Sequence, residues 1–104
     1  MYSRHITCQL KPITREELGE MFEREILPLL KKQNGFADEM TFVDEDGKQV
    51  VAISLWESKA SADTYARETY PQVLKSLSRV IEGTPQVRGY DVAVSTFHRP
   101  AATI

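Results

Sequence analysis

The chain is 104 residues long, with 41% hydrophobic and 27% charged side chains, which is the composition of one ordinary globular domain and leaves no room for a second. A chain of this size buries roughly two thirds of its unfolded surface, so neither disulfides nor metal are needed for folding. Thirteen Lys and Arg against fifteen Asp and Glu give a net charge of −2, which excludes the basic footprint of a general nucleic-acid binder.

The single cysteine, Cys8, excludes an internal disulfide. No apolar run approaches the roughly 20 residues that span a bilayer, and Arg4, His5 and Gln9 stand where a signal peptide needs an apolar centre. The expectation is a cytoplasmic protein with no membrane partner.

Tyr2 to Lys11 opens the chain with Ile6, Cys8 and Leu10 alternating with His5, Thr7 and Gln9, the period of two that marks a strand. Pro12 ends it. Thr14-Arg15-Glu16-Glu17 then has the form of a capping box, with Ile13 and Leu18 spaced as a hydrophobic staple. Leu18, Met21, Phe22, Ile26, Leu29 and Leu30 recur at three- and four-residue spacing and predict a first helix. Pro28 lies inside it and removes one backbone hydrogen bond, which predicts a kink or break, and Asn34-Gly35 closes the segment.

Phe36 to Val43 and Lys48 to Trp56 read as strands two and three, an antiparallel pair joined at Asp44-Glu45-Asp46-Gly47, where Gly47 takes the positive φ of a hairpin loop. Strand three has Val51, Ile53 and Leu55 on one face and Val50, Ala52, Ser54 and Trp56 on the other, as suits a central strand covered on both sides. Ser58 is placed to cap a second helix over Lys59 to Glu68, which Thr69-Tyr70-Pro71 interrupts. The helix restarts at Pro71, with Val73, Leu74, Leu77, Val80 and Ile81 as one apolar stripe and Glu82-Gly83 as its end. A long fourth strand is expected over Gln86 to His98, followed by a loose tail from Arg99 to Ile104.

The order strand, helix, strand, strand, helix, strand is the ferredoxin-like α+β pattern, βαββαβ, with a four-stranded antiparallel sheet. Right-handed crossovers put strands one and three at the centre and both helices on one face. The other face is expected to carry His5, Thr7, Ala52, Ser54 and Trp56, too apolar to be left in water. A second copy packed sheet against sheet, with strand four reaching across, is the simplest cover, so a homodimer is expected.

Phosphate loops, dinucleotide glycine fingerprints and metalloprotease helices are all missing. His5 and Cys8, three apart on a strand, point to opposite faces, and no metal is expected. Trp56 either closes the core or walls a ligand cavity between the sheet and helix two. Tyr65, Arg67 and Tyr70 lie on or beside that helix and, with Ser54 and Phe22, give an aromatic pocket with one cation, suited to a flat phenolic ligand; both tyrosines also read as ordinary core or rim residues. His5 titrates near neutrality and is the candidate general base, or else a hydrogen-bonded structural histidine.

Residues 2 to 98 resemble the antibiotic biosynthesis monooxygenase-type domains of the dimeric α+β barrel superfamily. The resemblance lies in the element order, in Ile53-Ser54-Leu55-Trp56-Glu57-Ser58 running into helix two, in Tyr65 with Tyr70-Pro71, and in Thr84-Pro85-Gln86-Val87-Arg88-Gly89-Tyr90 leading into strand four. The haem-degrading branch uses an Asn on strand one, a Trp on strand three and a His on helix two, and only Trp56 matches. The polyketide-oxidising branch uses a Trp and an Asn near the end of strand three with Tyr and Arg nearby, which Trp56, Tyr65 and Arg67 match while the only Asn, Asn34, sits in a turn.

The resemblance implies a dimeric α+β barrel and a cofactor-independent monooxygenase binding a small aromatic or quinone-like substrate, with Trp56 and His5 as catalytic candidates and no cofactor. Deprotonating such a substrate and holding its anion is the minimum the protein must supply. The missing Asn favours the alternative, a non-catalytic small-molecule binding or stress-related domain that keeps Trp56 as structure.

Overall fold

A computed structural model describes residues 1–97. The chain runs β1 (Tyr2–Leu10), α1 (Arg15–Met21), a π-helical segment (Phe22–Ile26), α2 (Leu27–Lys31), β2 (Phe36–Val43), β3 (Gln49–Trp56), α3 (Lys59–Glu68), α4 (Tyr70–Leu77) and β4 (Ile81–Asp91). The four strands form one antiparallel sheet in the order β2-β3-β1-β4, so the expected ferredoxin-like α+β fold, with strands one and three central, is the one observed.

Local chemistry sets the element ends as expected in most places. Glu17 N–H donates to the Thr14 hydroxyl at 3.1 Å and Thr14 N–H donates back to the Glu17 carboxylate at 3.1 Å, completing the capping box. Pro28 breaks nothing, because the helix widens into the π segment just before it, where Leu27 N–H bonds back to the Phe22 carbonyl. The Ser58 side chain caps α3, and Gly47 in the hairpin has φ +70.

Three boundaries differ from expectation, the end of the second helix and both ends of strand four, which starts at Ile81 rather than Gln86 because Ile81 and Glu82 already pair with Leu10 and Gln9 of β1. The second helix ends at Leu77 rather than Glu82: Arg79 and Val80 N–H groups bond three residues back, and Ile81 begins a strand opposite Leu10. Val80 and Ile81 therefore continue the apolar stripe without being helical. Gly83 lies inside β4 at φ +71, where Gly83-Thr84-Pro85 bulge out opposite Cys8. The strand ends at Asp91, opposite Tyr2 at the start of β1; Val92 N–H still donates to the Met1 carbonyl at 2.9 Å, and Val94 lies beyond. The expected end at His98 and the tail Arg99 to Ile104 fall outside the described residues.

Register also corrects the assignment of faces. Directly opposed residues of antiparallel strands share a face, and Arg4 pairs with Ser54, Ile6 with Ala52 and Tyr2 with Trp56. Ala52, Ser54 and Trp56 therefore lie under the helices with Arg4, Ile6 and Cys8, not on the open face. His5 and Thr7 keep the open face, opposite Ile53 and Val51, where Met40, Phe42 and Leu55 join them. The core between sheet and helices is built on Ile6, Leu18, Phe22, Ile26, Val50 and Leu77, all nearly inaccessible to solvent.

Candidate functional site

Trp56, at the end of β3, is completely buried, with its ring 4.9 Å from Tyr65 and 5.6 Å from Phe36 between centroids. Its indole N–H donates to the Ser54 hydroxyl at 2.8 Å, and that hydroxyl donates to the Arg4 carbonyl at 3.5 Å. A buried indole N–H needs such a partner, and residue i−2 on the same strand face supplies it.

Beside this pair lies a cavity of about 20 Å³, room for a single water, whose walls include Arg4, Glu39, Ser54, Tyr65, Phe22 and Ile26. Arg4 is only 9% exposed. Its guanidinium lies 4.0 Å from the Tyr70 ring centroid and 5.5 Å from that of Tyr65, and among the described residues no carboxylate comes within ion-pair distance of it. The ring faces attract the cation and hold it in place without neutralising it. A buried cation with no counter-ion is costly and marks a position suited to an anionic or strongly polarised ligand atom.

The electrostatics of the other groups follow from burial. Desolvation pushes the Tyr65 hydroxyl far above the ordinary tyrosine range, and Arg4 only partly opposes this, so Tyr65 stays a neutral hydroxyl. Tyr70 is raised for the same reason, with Arg4 again pulling down. Burial also raises the Glu39 carboxyl, against the Thr41 hydroxyl that donates to it at 2.8 Å. Cys8 is buried and its thiol is pushed up, which keeps it protonated and unreactive.

Of the residues singled out from sequence, Ser54, Phe22 and Tyr65 meet at the cavity, with Trp56 packed on Tyr65 and Tyr70 stacked on Arg4. Arg67 does not. It is exposed and lies 3.6 Å from Glu68, because its place on α3 is two residues past Tyr65 and so turns to the outer side. The cation of the pocket is Arg4. His5 is on the other face of the sheet, where its Nε2 lies 3.1 Å from the Ser3 hydroxyl and its ring meets Tyr90 edge-on at 4.8 Å. Burial lowers its pKa, so it is neutral at pH 7, and the sheet separates it from any ligand beside Trp56.

Arg4 and Glu39 were not singled out from sequence, although the signal existed. Arg4 continues the even-numbered face of Ile6, Cys8 and Leu10, and Glu39 shares a face with Thr41 and Val43. Among the described residues no group of three or more His, Cys, Asp and Glu side chains is arranged to hold a metal, and no helix is long and apolar enough to cross a membrane.

No family model and no curated protein matches the chain. Solved structures do. A monooxygenase from the gene ActVA-Orf6 of Streptomyces coelicolor, crystallised with the ligand nanaomycin D, superposes with a TM-score of 0.74 at 19% identity, over 90% of this chain and 88% of that one. SnoaB, a cofactor-independent oxygenase from Streptomyces nogalater, gives 0.71 at 13% identity, over 91% and 95%. A protein of unknown function from Nitrosomonas europaea, NE2512, gives 0.70 at 9% identity, over 91% of each chain. At these identities the likeness is one of architecture, and it agrees with the resemblance carried by Trp56 and its flanking residues. The chain therefore shares its α+β fold with structures that include a putative antibiotic biosynthesis monooxygenase from Bordetella bronchiseptica, at a TM-score of 0.73 and 11% identity over 89% of this chain and 97% of that one.

Proposed function

We propose that the protein is a cofactor-independent monooxygenase acting on a small aromatic or quinone-like substrate held between the sheet and the helices. The observation that carries this reading is Arg4, a buried cation at the wall of a mostly apolar cavity that meets aromatic faces and, among the described residues, no carboxylate within ion-pair distance. In such a reaction the substrate, once deprotonated, gives electrons to dioxygen; one oxygen atom stays on the substrate carbon and the other leaves as water. Arg4 stabilises the substrate anion, Tyr65 and Trp56 supply flat contact surface, and Ser54 holds the indole in place.

A ring enters only if the cavity enlarges. Phe22 and Ile26 wall it from the π segment, where the helical hydrogen-bond ladder is already out of register and a side chain can swing at lower cost. The test is oxygen uptake by chelator-treated protein against anthrone-like and hydroquinone substrates. Uptake above the spontaneous rate supports the reading, and none across the panel overturns it. A second reading, a non-catalytic small-molecule binding domain, is favoured by the small size of the cavity and by the complete packing of Trp56.

The open sheet face supports a homodimer. Phe42 is 50% exposed, Tyr90 47% and Met40 42%, with Val51, Ile53 and Leu55 half-buried between them, a patch of the kind that a second copy covers.

A further inference from the structure

We propose that Glu39 is the proton acceptor of this site and Arg4 its oxyanion holder, so that the ligand is an acidic hydroxyarene or enol that ionises as it binds. The inference rests on reading the cavity as a ligand site and extends it by naming the ionising pair. Arg4 and Glu39 are both cross-strand partners of Ser54, one from β1 and one from β2, so the three form a row across the sheet and all reach the same cavity. Two strand spacings separate the ends of that row, about 9.5 Å of backbone, a gap that two long side chains could bridge. They do not bridge it. The guanidinium is turned onto Tyr70 and Tyr65, and the carboxylate is held by the Thr41 hydroxyl at 2.8 Å.

The cation and the carboxylate are thus held apart at opposite ends of one wall, with room for a ligand oxygen between them. Other charged or titratable groups near Glu39 are Asp38 beside it on β2 and Tyr65 from α3, which remains neutral. Burial and Asp38 both work against the charged carboxylate, which makes it a better base than a free one. In the step itself the ligand O–H bond breaks and a new O–H bond forms on the carboxylate oxygen not held by Thr41. The electron pair stays on the ligand oxygen beside Arg4, and nothing is oxidised or reduced.

The test needs no turnover. 1,8-Dihydroxyanthraquinone, whose anion absorbs at longer wavelength than its neutral form, is added to the protein at neutral pH in weak buffer with a pH indicator. The expected result is the anion spectrum on binding with no proton released, and in Glu39→Gln either the neutral spectrum or the anion spectrum with a proton released to solvent. Arg4→Met should bind the neutral form alone. An anion spectrum without proton release in Glu39→Gln, or a neutral spectrum in the wild type, overturns the assignment and leaves the ligand site standing. Absence of binding by the wild type overturns both.

Discussion

The Trp56 indole N–H donates to the Ser54 hydroxyl, which donates in turn to the Arg4 carbonyl, so the only tryptophan of the chain is tied through one side chain to the central strand that carries the buried cation. Ser54→Ala leaves the indole N–H buried without a partner. The expected cost is about 1–3 kcal/mol in urea unfolding, with a shift of the Trp56 fluorescence. Unchanged stability and emission would mean that the hydrogen bond contributes nothing.

Trp56→Ala should cost more, about 3–5 kcal/mol, because it leaves a void between Phe36 and Tyr65 where the ring was wholly buried. Native domains are stable by only about 5–15 kcal/mol, so thermal unfolding should show a large fall in Tm.

Glu39 makes stability depend on pH in a direction opposite to that of most carboxylates. Its folded pKa is raised, so the native state binds more protons than the unfolded chain just above the ordinary glutamate range. Its contribution therefore favours folding at low pH and is lost as pH rises through the folded pKa. Glu39→Gln should be more stable than the wild type at pH 7 and no more stable at pH 4, as judged by denaturant midpoints; an equal midpoint shift at both pH values would exclude the linkage.

Phe42→Asp with Ile53→Asp places charge on the open sheet face without touching the helix-side core. Light scattering at micromolar concentration should give a dimer for the wild type and a folded monomer for the double variant. A wild-type monomer would contradict the exposed-face argument.

Much of the fold was legible because its signals are local. Thr14 with Glu17, Ser58, Gly47 and the run into Trp56 each determine an element end from a few neighbouring residues. The faces of β3 were not legible, since Val51, Ile53 and Leu55 are as apolar as Val50, Ala52 and Trp56, and only the register with β1 decides between them. The ends of α4 and β4 depend on how far β1 extends as a partner, which spacing alone cannot reveal. The site was half legible for a related reason. Trp56, Tyr65, Ser54 and Phe22 announce themselves as aromatic or motif residues, whereas a charged Arg4 on a strand reads as a surface residue until its neighbours are known.

The most direct measurement compares oxygen uptake by the wild type, Arg4→Met and His5→Ala on one substrate that the wild type turns over. Uptake should fall about a hundredfold in Arg4→Met, the scale of losing one anion-stabilising donor, and change little in His5→Ala, whose ring lies across the sheet. Undiminished uptake in Arg4→Met, or its loss in His5→Ala, would contradict a site on the helix side of the sheet.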